Sequence, residues 1–400
     1  MLHIVLYFQV HQPHRLRPYR VLDIGAGDYF DDDLNRRIID KVAEKCYLPA
    51  NSLLQELVAR HGDRFKVSFS MTGTLIEQLR SWRPDVLESF RALGRQGGVE
   101  FLGETYYHSL AFLFDQDEFL DQVVMHSRLM EEEFGCKPST FRNTELIYND
   151  RISDLVGELP HFRTVLTEGA DHVLKWRSPL YLYRSNSQRH SLLLKYYRLS
   201  DDIAFRFSDK SWTSYPLTAE KFADWIGRLS HVERADKNLY LNLFMDYETF
   251  GEHQWADTGI FEFMSEFPAR VLDGGKACFI WPSEARERLN YVPEALSIPK
   301  PISWADTERD LSAWLSNSLQ WNAMETFYGV LRRIKEKGRA DLLPTARRLS
   351  SSDLYYYMCT KYSQDGDVHK YFSPYSSPED AYVYFMNVLA DLENRVEAET

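Results

Sequence analysis

Short apolar runs alternate with amphipathic stretches through the first two-thirds of the chain, and this alternation constrains the fold more than any other feature. The apolar runs that have the character of buried strands are His3–Val10, Phe65–Met71, Val99–Leu102, Thr140–Asn143, Thr164–Thr167 and Leu239–Met245. The stretches with helical spacing between them include Leu34–Cys46, Asn51–His61, Pro84–Gln96 and Glu118–Phe134. Strand–helix alternation of this kind predicts βαβ units and a parallel sheet. Because six or seven such units fit into about 280 residues, the pattern favours a closed or nearly closed (β/α) barrel over an open sheet.

The pattern changes after Pro282. The segment Asn290–Trp304 carries three prolines and predicts an irregular connection. Helical spacing then resumes in Leu311–Lys337, Asp341–Arg348, Ser351–Tyr362 and Ser377–Arg395. We therefore predict a catalytic barrel over residues 1–285 and a C-terminal helical region over residues 286–400, packed on the barrel.

Composition narrows the class of partner. The 400 residues carry a formal net charge of −12, which argues against nucleic acid or an anionic membrane surface. Aromatic residues make up 14% of the chain, which suits either stacking on sugar rings or a large aromatic core. The four cysteines are scattered and form no C-x-x-C pair, a pattern typical of reduced structural thiols.

The N-terminal sequence and the lengths of the apolar runs bear on the location of the protein. The chain begins MLHIVLYFQV, with no basic region and no small-residue cleavage site of the kind found in signal peptides. Apolar runs stay shorter than the roughly 18 residues that a membrane span needs. We therefore expect a cytoplasmic protein that does not associate with a membrane.

Polar side chains follow four of the predicted strands, where they are costly unless they are paired or used. The sequences at these strand ends are QVHQPH from Gln9, ETYYH from Glu104, RNTE from Arg142 and DYETFGEH from Asp246. If a barrel closes, they converge on one rim, and converging carboxylates perturb one another's pKa values.

Such a set admits three kinds of function. Two carboxylates without a metal make a glycosidase, in which one attacks the anomeric carbon and the other transfers the proton. Carboxylates with histidines could instead hold Zn²⁺ for hydrolysis. The third possibility is a sugar-binding groove that performs no chemistry.

These motifs resemble glycoside hydrolase family 57, the group of α-amylases and 4-α-glucanotransferases. The matching segments, in the family's order and spacing, are Val10–Pro13 (VHQP), Gly98–Gly103 (GVEFLG), Thr144–Glu145 and Met245–Gly251 (MDYETFG). The D-x-E-x-F-G match is the most specific of these.

The resemblance implies a seven-stranded incomplete TIM-like barrel followed by a helical domain. It also implies an α-glucan or maltooligosaccharide substrate, retention of anomeric configuration, and no metal or other cofactor. Glu145 matches the family's nucleophile and Asp246 its general acid/base. Hydrolysis and transglycosylation both remain open, and the sequence indicates no oligomeric state.

Four further residues are candidates for substrate binding. These are His11, Glu100, Trp212 and His253. Each also has an ordinary structural alternative. Either histidine could be a core residue whose hydrogen bonds are satisfied within the protein, Glu100 could be paired with a base, and Trp212 could be a core residue. Glu248 competes with Asp246 as the acid, because it stands on the same side while the strand persists.

The chain departs from the family pattern at two places. Gln9 replaces a second histidine that some members carry, and the nucleophile region reads RNTE where tryptophan and proline are common. These differences bear on substrate specificity. Two alternative functions remain: a catalytically weak glucan-binding barrel, and a metal-dependent carbohydrate deacetylase, which no H-x-x-x-H pair supports.

Overall fold

The fold is described from a computed structural model that covers residues 1–232, 236–361 and 373–398. A ten-stranded sheet contains β1 (Leu2–Val10), β2 (Val67–Met71), β3 (Val99–Phe101), β4 (Thr140–Arg142), β5 (Thr164–Glu168), β6 (Tyr183–Ser185), β7 (Ser191–Lys195), β8 (Leu239–Asp246), β9 (Ala277–Phe279) and β10 (Ala295–Leu296).

The α-helices surround this sheet and continue beyond it. In chain order they are α1 (Asp32–Val42), α2 (Leu48–His61), α3 (Gly73–Trp82), α4 (Pro84–Gln96), α5 (Gln116–Phe134), α6 (Asp150–Val156), α7 (Asp171–Leu174), α8 (Tyr197–Ala204), α9 (Ala219–Val232), α10 (Ile260–Asp273), α11 (Ser312–Leu315), α12 (Ser318–Glu336), α13 (Leu343–Arg348), α14 (Ser352–Tyr356) and α15 (Pro378–Glu397).

Parallel pairing dominates the sheet. β1 pairs with β2 on one side and with β8 on the other, and β2 pairs with β3. β3 reaches β4 through the single parallel bridge between Gly103 and Phe141, and β4 pairs with β5. β5 pairs with β7, which reaches β8 through Lys195 and Asn242. The short β6 is antiparallel to β7. The prediction of a mixed α/β fold with a mostly parallel sheet is therefore confirmed.

The strand predictions follow from burial on both faces. All nine residues of β1 are buried, as are the first seven of β8, and such strands carry continuous apolar runs instead of alternating patterns. The six predicted strands are all present, with ends shifted by at most two residues. The sequence did not predict β6, β7, β9 and β10. Of these, β7 has an apolar run, SLLLK, but it follows β6 in a hairpin and has no helix between the two strands as a marker.

Two large hydrophobic cores cover opposite parts of the sheet. One packs β1, β2 and β8 against the helices α1 to α4 and α10. The other joins Phe141, Val165 and Leu192 of the sheet to Phe327 of α12 and Phe385 of α15. The C-terminal helices therefore share a core with the strands.

The C-terminal region has shorter and more numerous helices than the sequence predicts. Asn317 separates α11 from α12, because its side chain accepts a hydrogen bond from the backbone N–H of Gln320 and so caps a new helix. The predicted helix Ser351–Tyr362 corresponds to the short α14, and Tyr362 lies outside the described residues. Among the helices of the described ranges, none is long and apolar enough to cross a membrane.

Candidate active site

Parallel pairing places several carboxylates at one edge of the sheet. Asp246 is the last residue of β8 and stands beside Gln9 of β1. Glu145 follows the end of β4 by three residues, and Glu104 follows the end of β3 by three. Since the carboxyl ends of parallel strands meet at the same edge, these side chains form one cluster.

Glu145 has an unusual backbone conformation. Its φ of 56° and ψ of 28° lie in the left-handed region, which a residue with a side chain occupies at a cost of about 1–2 kcal/mol. The backbone N–H of Trp304 donates to the Glu145 carbonyl at 3.2 Å. The indole Nε1–H of the same tryptophan donates to Glu145 Oε2 at 2.6 Å. Trp304 thus fixes both the main chain and the carboxylate of Glu145.

A buried histidine links Glu145 to a second carboxylate. His108 Nε2 lies 3.1 Å from Glu145 Oε1, and its Nδ1 lies 3.1 Å from Glu104 Oε2. Burial opposes the charge on His108, but the hydrogen bonds to Glu104 and Glu145 prevail and raise its pKa to about 9. His108 is therefore protonated at neutral pH and donates from both nitrogens.

The two carboxylates that His108 joins are correspondingly ionised. Burial alone would raise the pKa of Glu145, but the hydrogen bond from His108 and its charge lower it below the ordinary value. The same balance lowers the pKa of Glu104 to about 2. Ser70 and Gln9 also donate to Glu104 Oε1, which satisfies this fully buried carboxylate. Glu145 accordingly carries a negative charge and has a fixed orientation.

Asp246 has the opposite electrostatic environment. Burial raises the pKa of its carboxyl, the negative charge of Glu145 raises it further, and the pKa reaches about 6. A carboxyl group with this pKa is partly protonated near neutral pH and can donate its proton. The cluster therefore contains two ionised carboxylates, Glu104 and Glu145, and one carboxyl group, that of Asp246, which can exchange a proton near neutral pH.

His11 lies next to this pair. Its ring stacks on that of His108 with the centroids 4.1 Å apart. Its Nδ1 lies 2.8 Å from Thr72 Oγ1, and its Nε2 lies 2.8 Å from Asp353 Oδ2. Burial, together with the charge of His108, lowers the pKa of His11, so the neutral ring donates to Asp353.

The carboxyl group of Glu248 has a raised pKa and is fixed by hydrogen bonds. Tyr47 and Gln12 both donate to its Oε1, and its side chain is buried. Burial and the nearby charge of Asp246 raise the pKa of Glu248 to about 8. The hydrogen bonds fix the Glu248 side chain against Tyr47 and Gln12.

Two buried cations lie close to the indole ring of Trp304. The guanidinium of Arg142 is 4.7 Å from the centroid of the indole, and the ammonium of Lys195 is 5.2 Å from it. Arg142 is completely buried, and its guanidinium has no hydrogen-bond partner within the part of the chain that the structure describes. Lys195 is paired with Asp201 at 3.2 Å.

The remaining predicted residues are placed as follows. Glu100 accepts hydrogen bonds from Thr140, the first residue of β4, and from Ser283. It therefore lies towards the amino ends of the strands, and the structure does not bring it into the carboxylate cluster. Trp212 packs against Trp225 of α9, with their centroids 6.0 Å apart, and lies on the first hydrophobic core.

His253 is anchored near the cluster through its backbone. Its N–H donates to the Glu248 carbonyl at 2.9 Å, and burial lowers the pKa of its ring to about 4. Gly251, in the same turn, has φ of 105°, and a Cβ there would lie 1.9 Å from the Lys45 carbonyl oxygen. The glycine of the D-x-E-x-F-G segment is therefore required by the close approach of two backbones.

Three residues that contact the cluster or its neighbour His11 were not among the residues singled out from the sequence. Trp304 and Asp353 come from beyond residue 285 and have no local motif, so only the folded chain brings them to the cluster. His108 is the last residue of the strand-end segment ETYYH but was not among the four candidates for substrate binding. Its signal was the glutamate four residues earlier, which it contacts directly. Among the described residues, no group of three or more His, Cys, Asp or Glu side chains is arranged to hold a metal ion.

Comparisons with known proteins agree with the motifs. The model of glycosyl hydrolase family 57 matches residues 5–299. A protein of Methanocaldococcus jannaschii, described as "Putative alpha-amylase", is 41% identical over 408 residues, which is 98% of this chain and 84% of that protein. The chain belongs to glycosyl hydrolase family 57, and we assign it as a glycoside hydrolase.

Solved structures share its fold. A GH57-type branching enzyme from Pyrococcus horikoshii superposes with a TM-score of 0.70 at 15% identity, over 92% of this chain and 86% of that one. A 4-alpha-glucanotransferase from Thermococcus litoralis superposes with a TM-score of 0.59 at 16% identity, over 90% of this chain. This chain spans 52% of the length of that glucanotransferase.

Proposed function

We propose that the protein is a retaining glycoside hydrolase or transglycosylase that acts on α-glucans by double displacement, with Glu145 as nucleophile and Asp246 as general acid/base. The observation that carries this proposal is the contrast between the two carboxyl groups. Glu145 is ionised and fixed by His108 and Trp304, while Asp246 has a pKa raised to about 6. A glycosidase needs this division between an attacking carboxylate and a proton donor.

In the first step Glu145 attacks the anomeric carbon of an α-linked glucose. The carbon–oxygen bond to the leaving sugar breaks as the proton of Asp246 passes to that oxygen, which leaves a glycosyl ester on Glu145 and an ionised Asp246. Because Glu145 has no negative charge in the ester, it no longer raises the pKa of Asp246. Asp246 therefore stays ionised and can act as the base in the second step.

In the second step Asp246 removes a proton from an incoming hydroxyl. The oxygen of that hydroxyl attacks the anomeric carbon, the ester to Glu145 breaks, and the configuration returns to α after two inversions. Water as the acceptor completes hydrolysis, and a sugar hydroxyl completes transfer. The acceptor therefore defines which of the two activities dominates.

The names of the related proteins support an α-glucan substrate. They describe an amylase, a branching enzyme and a 4-alpha-glucanotransferase, all of which are names for enzymes of α-glucans. His11 and His253 are our proposed contacts for substrate hydroxyl groups. Glu100 and Trp212 remain predicted substrate contacts, although their surroundings in the structure favour a structural role for both.

Several broader proposals accompany this function. We interpret the paired strands as an incomplete (β/α)7 TIM-like barrel, with residues 1–285 as the catalytic part and residues 286–400 as the helical part packed on it. A cytoplasmic location and the use of no cofactor remain predictions from the sequence.

The first experiment is incubation of the protein with maltoheptaose, followed by chromatography of the products. Wild type should release oligosaccharides, and Glu145→Gln should release none, since its amide cannot act as the nucleophile. Glu133→Gln is the matched control, because it changes an ion-paired glutamate of α5 that lies outside the cluster. Longer products together with shorter ones would establish transfer, and shorter ones alone would establish hydrolysis.

Chemical rescue tests the nucleophile directly. In Glu145→Ala, added azide should attack an aryl α-glucoside in place of the carboxylate and yield the β-glycosyl azide after a single inversion. Equal activity of wild type and Glu145→Gln would refute the assignment of Glu145. An inactive wild type would refute the α-glucan substrate.

A further inference from the structure

A cavity lies at the opposite end of the sheet from the carboxylate cluster. It has a volume of about 730 Å³, within the range of pockets that bind small molecules. Thr164, which lines it, is the first residue of β5, and His190 lies just before β7. Since the carboxylate cluster occupies the carboxyl ends of the strands, this cavity at their amino ends is separate from the proposed active site.

Arginine side chains dominate the charge of this cavity. Arg163, Arg189 and Arg286 line it, together with the single carboxylate of Glu287. Within the described ranges none of the three arginines forms an ion pair. Concentrated positive charge is notable in a chain of net charge −12. Guanidinium groups present paired N–H donors that match the oxygens of phosphate.

Local packing holds part of this arrangement in place. The side chain of Arg189 lies across Gly157, where a Cβ would come within 2.7 Å of Arg189 Cδ. His190 is buried, and its Nδ1 lies 2.8 Å from Ser153 Oγ. Burial, aided by the charge of Arg189, lowers the pKa of His190 to about 4, so its ring is neutral and the cationic groups of the cavity are the arginines.

The cavity also has an apolar part. Pro160 and Phe162 line it; Pro160 is exposed, whereas Phe162 is only 3% exposed and belongs to the second hydrophobic core. A ligand that fits must therefore combine an anionic group with a ring that covers apolar surface. An inorganic anion alone would leave most of the volume unused.

We propose that this cavity binds a small phosphate monoester, with the phosphate held by Arg163, Arg189 and Arg286 and the attached ring lying against Pro160. A sugar phosphate and a nucleoside monophosphate share this chemistry. The proposal does not depend on the function assigned to Glu145 and Asp246.

The test is calorimetric titration of the full chain with glucose 1-phosphate, with AMP and with inorganic phosphate. We expect at least one organic phosphate to bind tighter than inorganic phosphate. The triple variant Arg163→Gln, Arg189→Gln, Arg286→Gln should weaken that binding at least tenfold. The matched control is Arg37→Gln, Arg64→Gln, Arg128→Gln, which removes the same charge from exposed positions outside the cavity and should bind like wild type.

The comparison of the two organic phosphates identifies the class of ligand. Tighter binding of glucose 1-phosphate indicates a sugar phosphate, and tighter binding of AMP indicates a nucleotide. Gly157→Ala provides a second variant, because its methyl group displaces Arg189 without removing a charge, and it should also weaken binding. The proposal is overturned if neither organic phosphate binds wild type more tightly than inorganic phosphate. It is also overturned if the cavity variant and the control variant lose affinity equally.

Discussion

Asp246 can act as an acid because of where its side chain lies, at the buried end of β8 beside the negative charge of Glu145. The same aspartate in water would be ionised at neutral pH and could not protonate a leaving group. Its pKa of about 6 makes the proposed enzyme sensitive to pH in a definite direction. Activity should decline as the pH rises above this value, because the fraction of protonated Asp246 falls.

The substitution Asp246→Asn tests this residue. We expect the turnover of maltoheptaose to fall by about 10²- to 10⁴-fold, the usual contribution of general acid–base catalysis. The alkaline decline near pH 6 should disappear from the residual activity, as no titrating acid is left. A pH–rate profile from pH 4 to pH 9 measures both effects. An unchanged alkaline limb would contradict the role of Asp246 as the acid.

At the scale of elements, β4 and the segment after β10 meet at the cluster. β4 carries Arg142, and the segment carries Trp304, whose indole lies against the guanidinium and donates to Glu145. The positive charge of Arg142 helps lower the pKa of Glu145 and partly offsets the effects of burial and of Glu145 on Asp246. We therefore regard Arg142 as a positioning residue that sets the pH range of both groups.

The pair Arg142→Met and Arg142→Lys separates this electrostatic role from packing. Loss of the positive charge should raise the pKa of Glu145 and of Asp246 together, so both limbs of the pH–rate profile should move to higher pH in Arg142→Met. Arg142→Lys keeps the charge and should leave both limbs in place, even if the rate falls. A lower rate with unmoved limbs in Arg142→Met would indicate a role in packing alone.

Some of these elements and site residues could be predicted from the sequence, and others could not. The strands β1 and β8 could be predicted because burial on both faces requires long apolar runs, and their ends indicated Asp246 and His11. Glu145 depended on the family motif, since a left-handed residue after a three-residue strand leaves no periodic signal. Trp304 contacts Glu145 across 159 positions of the chain, and Asp353 contacts His11 across 342. Such contacts depend on the packing of the whole fold.

At the scale of the whole molecule, the buried charges couple stability to pH. The pKa of His108 rises from 6.5 to about 9 on folding, so its contribution to stability is complete below pH 6.5 and is lost as the pH rises through 9. The pKa of Glu104 falls to about 2, so its contribution is complete above its unfolded value of 4.5 and is lost as the pH falls towards 2. The fold is therefore most stable between these two ranges.

His108→Gln tests the alkaline side of this range. Wild type should lose about 3 kcal/mol more of its free energy of unfolding between pH 6.5 and pH 9 than the variant, which lacks the titrating ring. Urea unfolding at a series of pH values measures the difference. Parallel curves for the two proteins would show that the charge of His108 does not stabilise the fold.

The fixation of Glu145 by Trp304 has a consequence for the timing of activity during synthesis. A nascent chain that has passed Asp246 already contains both proposed reacting groups, yet it still lacks the indole that orients one of them and the aspartate that receives the hydrogen bond of His11. An unfinished polypeptide would therefore lack the proposed activity. Competence to cut or transfer sugar would arrive only when the last third of the chain has folded onto the first.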